Sequence, residues 1–201
     1  MFYPNFNEEK KVKKLGYKRI AGIDEAGRGP LTGPVVAAGV KIDSSFKFKD
    51  LSLLGIKDSK KLSPKKREEF YKILTNHPAI EWRVAKVSPK VIDRINILEA
   101  TKLAMKRVAE KLKADFLIID GNFSLKTKIP QKSIIKADEK VLSCTMAGII
   151  AKVTRDRIML RYHKKYPQYA FDKHKGYPTK FHKTMIKKHG LSKICRETFK
   201  F

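Results

Sequence analysis

The chain has 201 residues, 42% of them apolar, which suits one globular domain with a substantial core and excludes a disordered polyelectrolyte. Lys and Arg outnumber Asp and Glu 46 to 20, a formal net charge of +26; this points to a polyanionic partner, with nucleic acid ahead of a membrane, although a solvated thermophile surface would read the same way. The two cysteines, Cys144 and Cys195, form no paired motif, so neither a disulfide framework nor a zinc knuckle is expected; with no apolar leader and no bilayer-length stretch, the expected location is cytoplasmic.

A polar, lysine-rich lead precedes a predicted buried strand over Tyr17 to Asp24, and Val35 to Ile42 reads as a second strand. The short Gly/Pro link between them, Gly27 to Pro34, favours an antiparallel pair, because a parallel return needs a crossover of about a dozen residues or more. Ser63-Pro64 has the form of a helix start, with the helix running to about Asn76. A third strand is predicted over Glu81 to Val87, stopped by Ser88-Pro89. From Val91 the period becomes helical, with Val91, Ile95, Leu98, Met105, Ala109 and Leu112 on one stripe.

Phe116 to Asp120 is an unbroken apolar run ending in a carboxylate, the pattern of a central strand covered on both faces. A fifth short strand is predicted over Ser133 to Lys136, a helix from Val141 to about Tyr162, and a final helix near Lys180 to Lys188. The composition shifts only late: residues 157–201 hold thirteen Lys/Arg against Asp172 and Glu197. That segment reads as a nucleic-acid-facing appendage or as a simple solvated surface. The predicted division is residues 1–162 as the main domain and 163–201 as a basic helical C-terminal extension.

Asp24-Glu25, Asp120 and Asp138 all stand at the ends of apolar runs. If the first and fourth strands are parallel neighbours, Asp24 and Asp120 leave the same sheet edge, the usual ligand crevice of open α/β sheets, and Asp138 approaches from the side. Acids this close repel unless a cation lies between them. An all-carboxylate donor set suits Mg2+ or Mn2+, and two such ions about 4 Å apart stabilise the attacking and leaving oxygens of a phosphodiester. Glu25 can join Asp24 only if the strand breaks there, since adjacent strand residues face opposite ways. Taken singly, the same acids also suit strand-ending turns or a helix N-terminus.

The five histidines make no helical zinc pair, and Gly27 and Gly29 are too few for a dinucleotide-binding loop. The run Gly22-Ile23-Asp24-Glu25-Ala26-Gly27-Arg28-Gly29-Pro30-Leu31-Thr32-Gly33-Pro34-Val35-Val36-Ala37-Ala38 resembles the signature of type 2 ribonucleases H, the ribonuclease HII family. The segments Lys57-Asp58-Ser59-Lys60-Lys61-Leu62-Ser63, Ile119-Asp120-Gly121, Ala151-Lys152-Val153-Thr154-Arg155-Asp156 and Lys175-Gly176-Tyr177 follow in the family's order. The resemblance spans about Lys18 to Phe199.

It implies an α/β RNase H-like fold, a mixed five-stranded sheet flanked by helices with a small helical C-terminal extension. It also implies cleavage of the RNA strand of RNA–DNA hybrids and incision 5′ to ribonucleotides embedded in duplex DNA. Asp24, Glu25, Asp120 and Asp138 become the catalytic, metal-binding acids. Gly27, Arg28 and Gly29 become the clamp on the ribose 2′-hydroxyl and adjacent phosphate, and Tyr177 the ring against the junction sugar. Ser59, Lys60 and Lys152 complete the substrate-binding set.

Two positions and one segment depart from the family's pattern. Ala137 and Gly148 replace a glycine and a serine, differences expected to leave the acids intact. Ile194-Cys195-Arg196-Glu197-Thr198-Phe199 stands where the family tends toward His-Arg-Arg-Ser-Phe. No large N-terminal substrate-binding domain is expected, which points away from ribonuclease HIII. A monomer is expected, with nucleic acid as substrate, no membrane, and a replication clamp as a further partner. The rival reading is a non-catalytic RNA-binding protein using the same basic surface.

Overall fold

The computed structural model describes residues 4–43, 45–46, 55–56 and 62–200. Its strands β1 (Ile20–Ala26), β2 (Val35–Ile42), β3 (Ile80–Val87), β4 (Phe116–Asp120) and β5 (Gln131–Ile134) form one sheet in the order β3-β2-β1-β4-β5. The short β1–β2 link gives the antiparallel pair expected, and β3 extends it antiparallel on β2. β4 lies parallel to β1 on the other side, with β5 parallel beyond it.

Helix α1 (Asn7–Lys14) lies within what the sequence presents as a polar lead. An eight-residue helix is marginal alone; here Val12 packs with Phe116, Ile118 and Cys144, and Glu9 Oε1 accepts from Ser143 N and Oγ at 3.0 and 2.7 Å. Helix α2 (Pro64–Asn76) starts as read, with Ser63 Oγ accepting from Lys66 N.

Helix α3 (Pro89–Leu112) is broken at Asn96, whose φ of 64° leaves the helical region. The Asn96 side chain restarts the helix by accepting from Leu98 N and Glu99 N at 2.9 and 3.1 Å. The stripe read from Val91 largely holds, with Met105, Ala109 and Leu112 buried and Val91 and Ile95 packed against the same core; Leu98, just after the break, is the exception at 37% exposed, and Ile92, Ala100, Ala104 and Val108 are buried as well.

After β5 come α4 (Ala137–Lys140), α5 (Leu142–Lys165), a 3₁₀ turn (Pro167–Tyr169), α6 (Phe171–His174) and α7 (Lys180–His189). The fifth strand begins two residues earlier than predicted and stops before Lys136, whose φ of 57° turns the chain into α4. The first strand, conversely, starts at Ile20 and runs past Asp24 to Ala26.

Two cores fill the two faces of the sheet. Ala21, Ile23, Val35, Ala37, Leu117 and Ile119 pack under α3, whereas Ala38 and Val40 pack on the opposite face under α2 and α5. Helix α5 lies directly on β1, because a Cβ at Gly22 would come within 2.6 Å of Cys144 N. That close approach brings α5 against the acidic end of β1. A third cluster, Leu31, Met159, Tyr169, Phe171, Ile186, Ile194 and Cys195, ties residues 166–195 to the loop after β1.

Candidate active site

The pleat decides where each acid points. Ile23 and Ile119, partners in the β1–β4 ladder, both face α3. Asp24 and Asp120, one residue further along each strand, therefore face α5 together. Asp138, in the first turn of α4, closes the group. Asp24, Asp120 and Asp138 each offer a carboxylate oxygen, and these atoms all lie within 4.8 Å of one another. Asp120 Oδ1 accepts from Ala137 N at 2.7 Å, which fixes the start of α4 against β4.

Glu25 is outside this trio. The strand does not break after Asp24, as joint service would require: Glu25 pairs with Ala37 and Ala26 with Val36. The Glu25 carboxylate instead meets Arg28 Nη1 at 3.6 Å. It still acts on its neighbour. Burial first, then the charges of Glu25, Asp120 and Asp138, hold the Asp24 carboxyl well above the usual carboxylate range. Asp24 and Asp138 are only 6% and 5% exposed, so water does little to relieve the repulsion. Three carboxylate oxygen donors this close together fit a divalent cation, with no His or Cys in the group to favour zinc.

Gly148 borders the same site. A Cβ there would overlap Asp24 Oδ2, so the missing side chain is the space the carboxylate occupies. Its departure from the family's serine thus bears directly on the acid cluster.

Beside the acids, the loop 27–34 is held from behind by two buried arginines. Arg155, 0% exposed, donates to the carbonyls of Thr32, Pro34 and Lys175 at 3.1, 3.1 and 3.0 Å. Arg196, 1% exposed, donates to Gly27, Arg28 and Gly33. Gly27 is required on two counts, since its φ is 100° and a Cβ would overlap the Arg155 side chain. The altered C-terminal segment therefore meets the protein itself, Thr32 and Cys195 forming a β-bridge. Neither arginine was singled out from sequence, where each is one cation among 46.

Tyr177 is 41% exposed at the rim, with Gly29 open beneath it. Lys152 lies 5.7 Å from the Tyr177 ring centre and pairs with Asp156 at 2.8 Å, so its charge is already engaged. His182 fixes Tyr177 from inside: a carbonyl can only accept, so Nδ1–H donates to Tyr177 O at 2.9 Å, and Nε2 is left to accept from Thr32 Oγ1 at 3.0 Å. His174 stacks on it at 4.3 Å, its Nε2–H donating to Tyr169 O and its Nδ1 accepting from Gly176 N. Phe123, which the sequence reading passed over, stands between Arg28 and Lys102, each cation 6.0 Å from its ring centre. Ser59 and Lys60 lie outside the described residues.

Comparison with known proteins agrees with this geometry. A family model described as Ribonuclease HII matches residues 21–201. Ribonuclease HII of Chlamydia muridarum is 48% identical over 193 residues, covering 95% of this chain and 86% of that one. Ribonuclease HII of Francisella philomiragia is 47% identical over 183 residues, covering 90% and 96%. Among solved structures, the RNase HII of the Archaeoglobus fulgidus PCNA:RNase HII complex superposes with a TM-score of 0.77 at 30% identity, covering 91% of this chain and 96% of that one. Ribonuclease H2 from Pyrococcus horikoshii gives 0.73 at 30% identity, covering 90% and 94%.

Proposed function

The chain belongs to the ribonuclease HII family and is a hydrolytic endonuclease, and from that premise we propose that it hydrolyses the RNA strand of RNA–DNA hybrids and incises duplex DNA 5′ to an embedded ribonucleotide, leaving 3′-hydroxyl and 5′-phosphate ends. The observation that carries the reading is the trio Asp24, Asp120 and Asp138, gathered on one side of the sheet beside a glycine-flanked arginine.

In this reading Asp24, Asp120 and Asp138 hold Mg2+ or Mn2+, and Glu25 adds negative charge at the rim, where Arg28 orients it. A divalent cation, when bound, stabilises developing charge on the attacking and leaving oxygens of the phosphodiester. The neighbouring loop supplies selection. The 2′-hydroxyl is what separates RNA from DNA at a given position, and Gly27, Arg28 and Gly29 present backbone groups that no side chain at Gly29 obstructs. Tyr177 offers its exposed ring to the adjoining sugar. Lys152 steadies that ring as well as facing phosphate, and Ser59, Lys60 and the basic residues of 163–201 extend the backbone contact.

Among the described residues no helix is long and apolar enough to cross a membrane, and we read the protein as a cytoplasmic monomer. The PCNA complex of the Archaeoglobus fulgidus protein supports a replication clamp as a further partner.

The deciding assay uses a duplex with one embedded ribonucleotide and an all-DNA control, each with Mg2+, Mn2+ or chelator. Cutting only of the first, only with metal, is expected; equal cutting of both would remove the ribose-reading role. Asp120→Ala should abolish cleavage while the duplex is still bound. A binding module would show no cleavage in either form.

A further inference from the structure

The loop that meets substrate is set from behind by a residue of the C-terminal segment. Arg196 Nη2 donates to the Gly27 carbonyl at 2.6 Å, Nη1 to the Arg28 carbonyl at 2.9 Å and Nε to the Gly33 carbonyl at 2.9 Å. Its own backbone is pinned to the same loop, with Arg196 N donating to Leu31 O and Gly33 N to Ile194 O, both at 2.8 Å. Among the described residues Arg196 forms no ion pair with a carboxylate, so backbone carbonyls solvate the buried charge. Burial, with repulsion from Arg155, lowers its pKa to about 9, which leaves it charged at neutral pH.

Peptide planarity turns this into a statement about the outer face of the loop. In a trans peptide the carbonyl and the following N–H point in opposite directions, and the described residues contain no cis peptide bond. With the Gly27 and Arg28 carbonyls drawn inward, the N–H groups of Arg28 and Gly29 point outward. Both residues are exposed, and neither N–H donates to any described residue. Two adjacent outward N–H groups form a concavity for an anion or a hydroxyl oxygen, and the guanidinium behind aligns both peptide dipoles toward it.

We propose that Arg196 is a positioning residue for substrate selection, presetting Gly27–Arg28–Gly29 with the Arg28 and Gly29 N–H groups turned toward the ribose 2′-hydroxyl and its phosphate. This rests on the reading of that loop as the ribose reader. A lysine cannot replace it: the planar fork reaches three carbonyls at once, whereas an ammonium on a flexible stem is a single point.

The test measures binding of two duplexes, one with a single ribonucleotide and one all-DNA, to full-length protein carrying Asp120→Asn to silence cleavage. Adding Arg196→Lys should reduce the ribonucleotide preference by about tenfold, as loss of a preset geometry does, while all-DNA affinity stays within about twofold. A change in fold stability alone would not alter that ratio. If Arg196→Lys folds and keeps the preference while Gly29→Ala and Tyr177→Ala lower it, the role of Arg196 is overturned and the ribose reading stands. If none of the three lowers it, the ribose reading itself fails.

Should Arg196→Lys not fold, the protein with Arg196 intact still decides by nuclear magnetic resonance. The Arg28 and Gly29 amide signals should move on adding the ribonucleotide duplex and not the all-DNA one. The Arg196 side-chain N–H signals should already be protected from solvent before substrate is added. Unprotected Arg196 signals, or unmoved amides, overturn the proposal.

Discussion

Gly148 on α5 faces Asp24 on β1 so closely that the Asp24 carboxylate fills the volume a side chain at residue 148 would occupy. Gly148→Ala should therefore displace the carboxylate from Asp120 and Asp138. The obstruction meets only the far end of a flexible side chain, and alanine favours a helix interior over glycine by about 0.8–1.0 kcal/mol. The variant is expected to melt at the same temperature or higher, while kcat/KM falls at least about tenfold. Gly148→Ser should retain more activity, because its hydroxyl can donate to the displaced carboxylate; thermal melts and cleavage kinetics on one hybrid check both.

Removing the most strongly strained acid should separate stability from activity. The Asp24 pKa is raised on folding, so the stability of its protonated form is complete below the ordinary value of 3.8 and is lost as pH climbs through the raised one. Asp24→Asn removes that loss. Without metal at neutral pH it should melt a few degrees above the parent, and it should lose both cleavage and the rise in melting temperature that Mg2+ or Mn2+ gives the parent. Parallel melts with metal and with chelator read this directly.

Gly29 and Tyr177 make the substrate rim testable without disturbing the fold. A Cβ at Gly29 would have only the Tyr177 ring nearby, at 3.9 Å, and the φ there is not in the left-handed region. Gly29→Ala and Tyr177→Ala should melt like the parent. Both should weaken cleavage at a single embedded ribonucleotide more than cleavage of a long hybrid, where many riboses are offered. Equal losses on the two substrates would refute a ribose-specific rim.

The stacked histidines predict an acid limb to stability. His174 and His182 both have lowered pKa values, chiefly through burial, against an ordinary 6.5. A second proton on His174 Nδ1 would face the Gly176 N–H, which is itself a donor. The unfolded chain thus binds protons that the fold resists as pH falls below about 6.5, and stability declines until the lowered values are reached. Each group kept neutral contributes at most about 1.4 kcal/mol per pH unit. Melting temperature followed from pH 7.5 to 5 should fall, and His182→Gln should flatten the slope while loosening Tyr177.

How much was legible in the chain follows from the range of each interaction. The apolar run ending at Asp120, the strand Val35–Ile42 and the Ser63-Pro64 helix start are short-range patterns, a strand period and a cap, and they stand in the structure as read. Placing Asp24 beside Asp120 needed only the rule that ligands gather at the carboxyl ends of parallel neighbours. The motif run around Asp24 carried the family.

The rest belonged to contacts between residues far apart in sequence. Helix α1 exists because Val12 and Glu9 find partners on β4 and α5, which its eight residues do not announce. Glu25 falls outside the acid trio because β2 keeps β1 paired through Ala26, so the pleat continues where a break would have been needed. Arg155 and Arg196 look like two more surface cations until folding buries them against six carbonyls, most of them more than a hundred residues away. Local periodicity and capping settled most of the elements and marked the acids that end them, because those forces act within a few residues. Tertiary packing alone decided which charges are buried and which way the substrate loop faces, because burial is a property of neighbours that only the folded chain supplies.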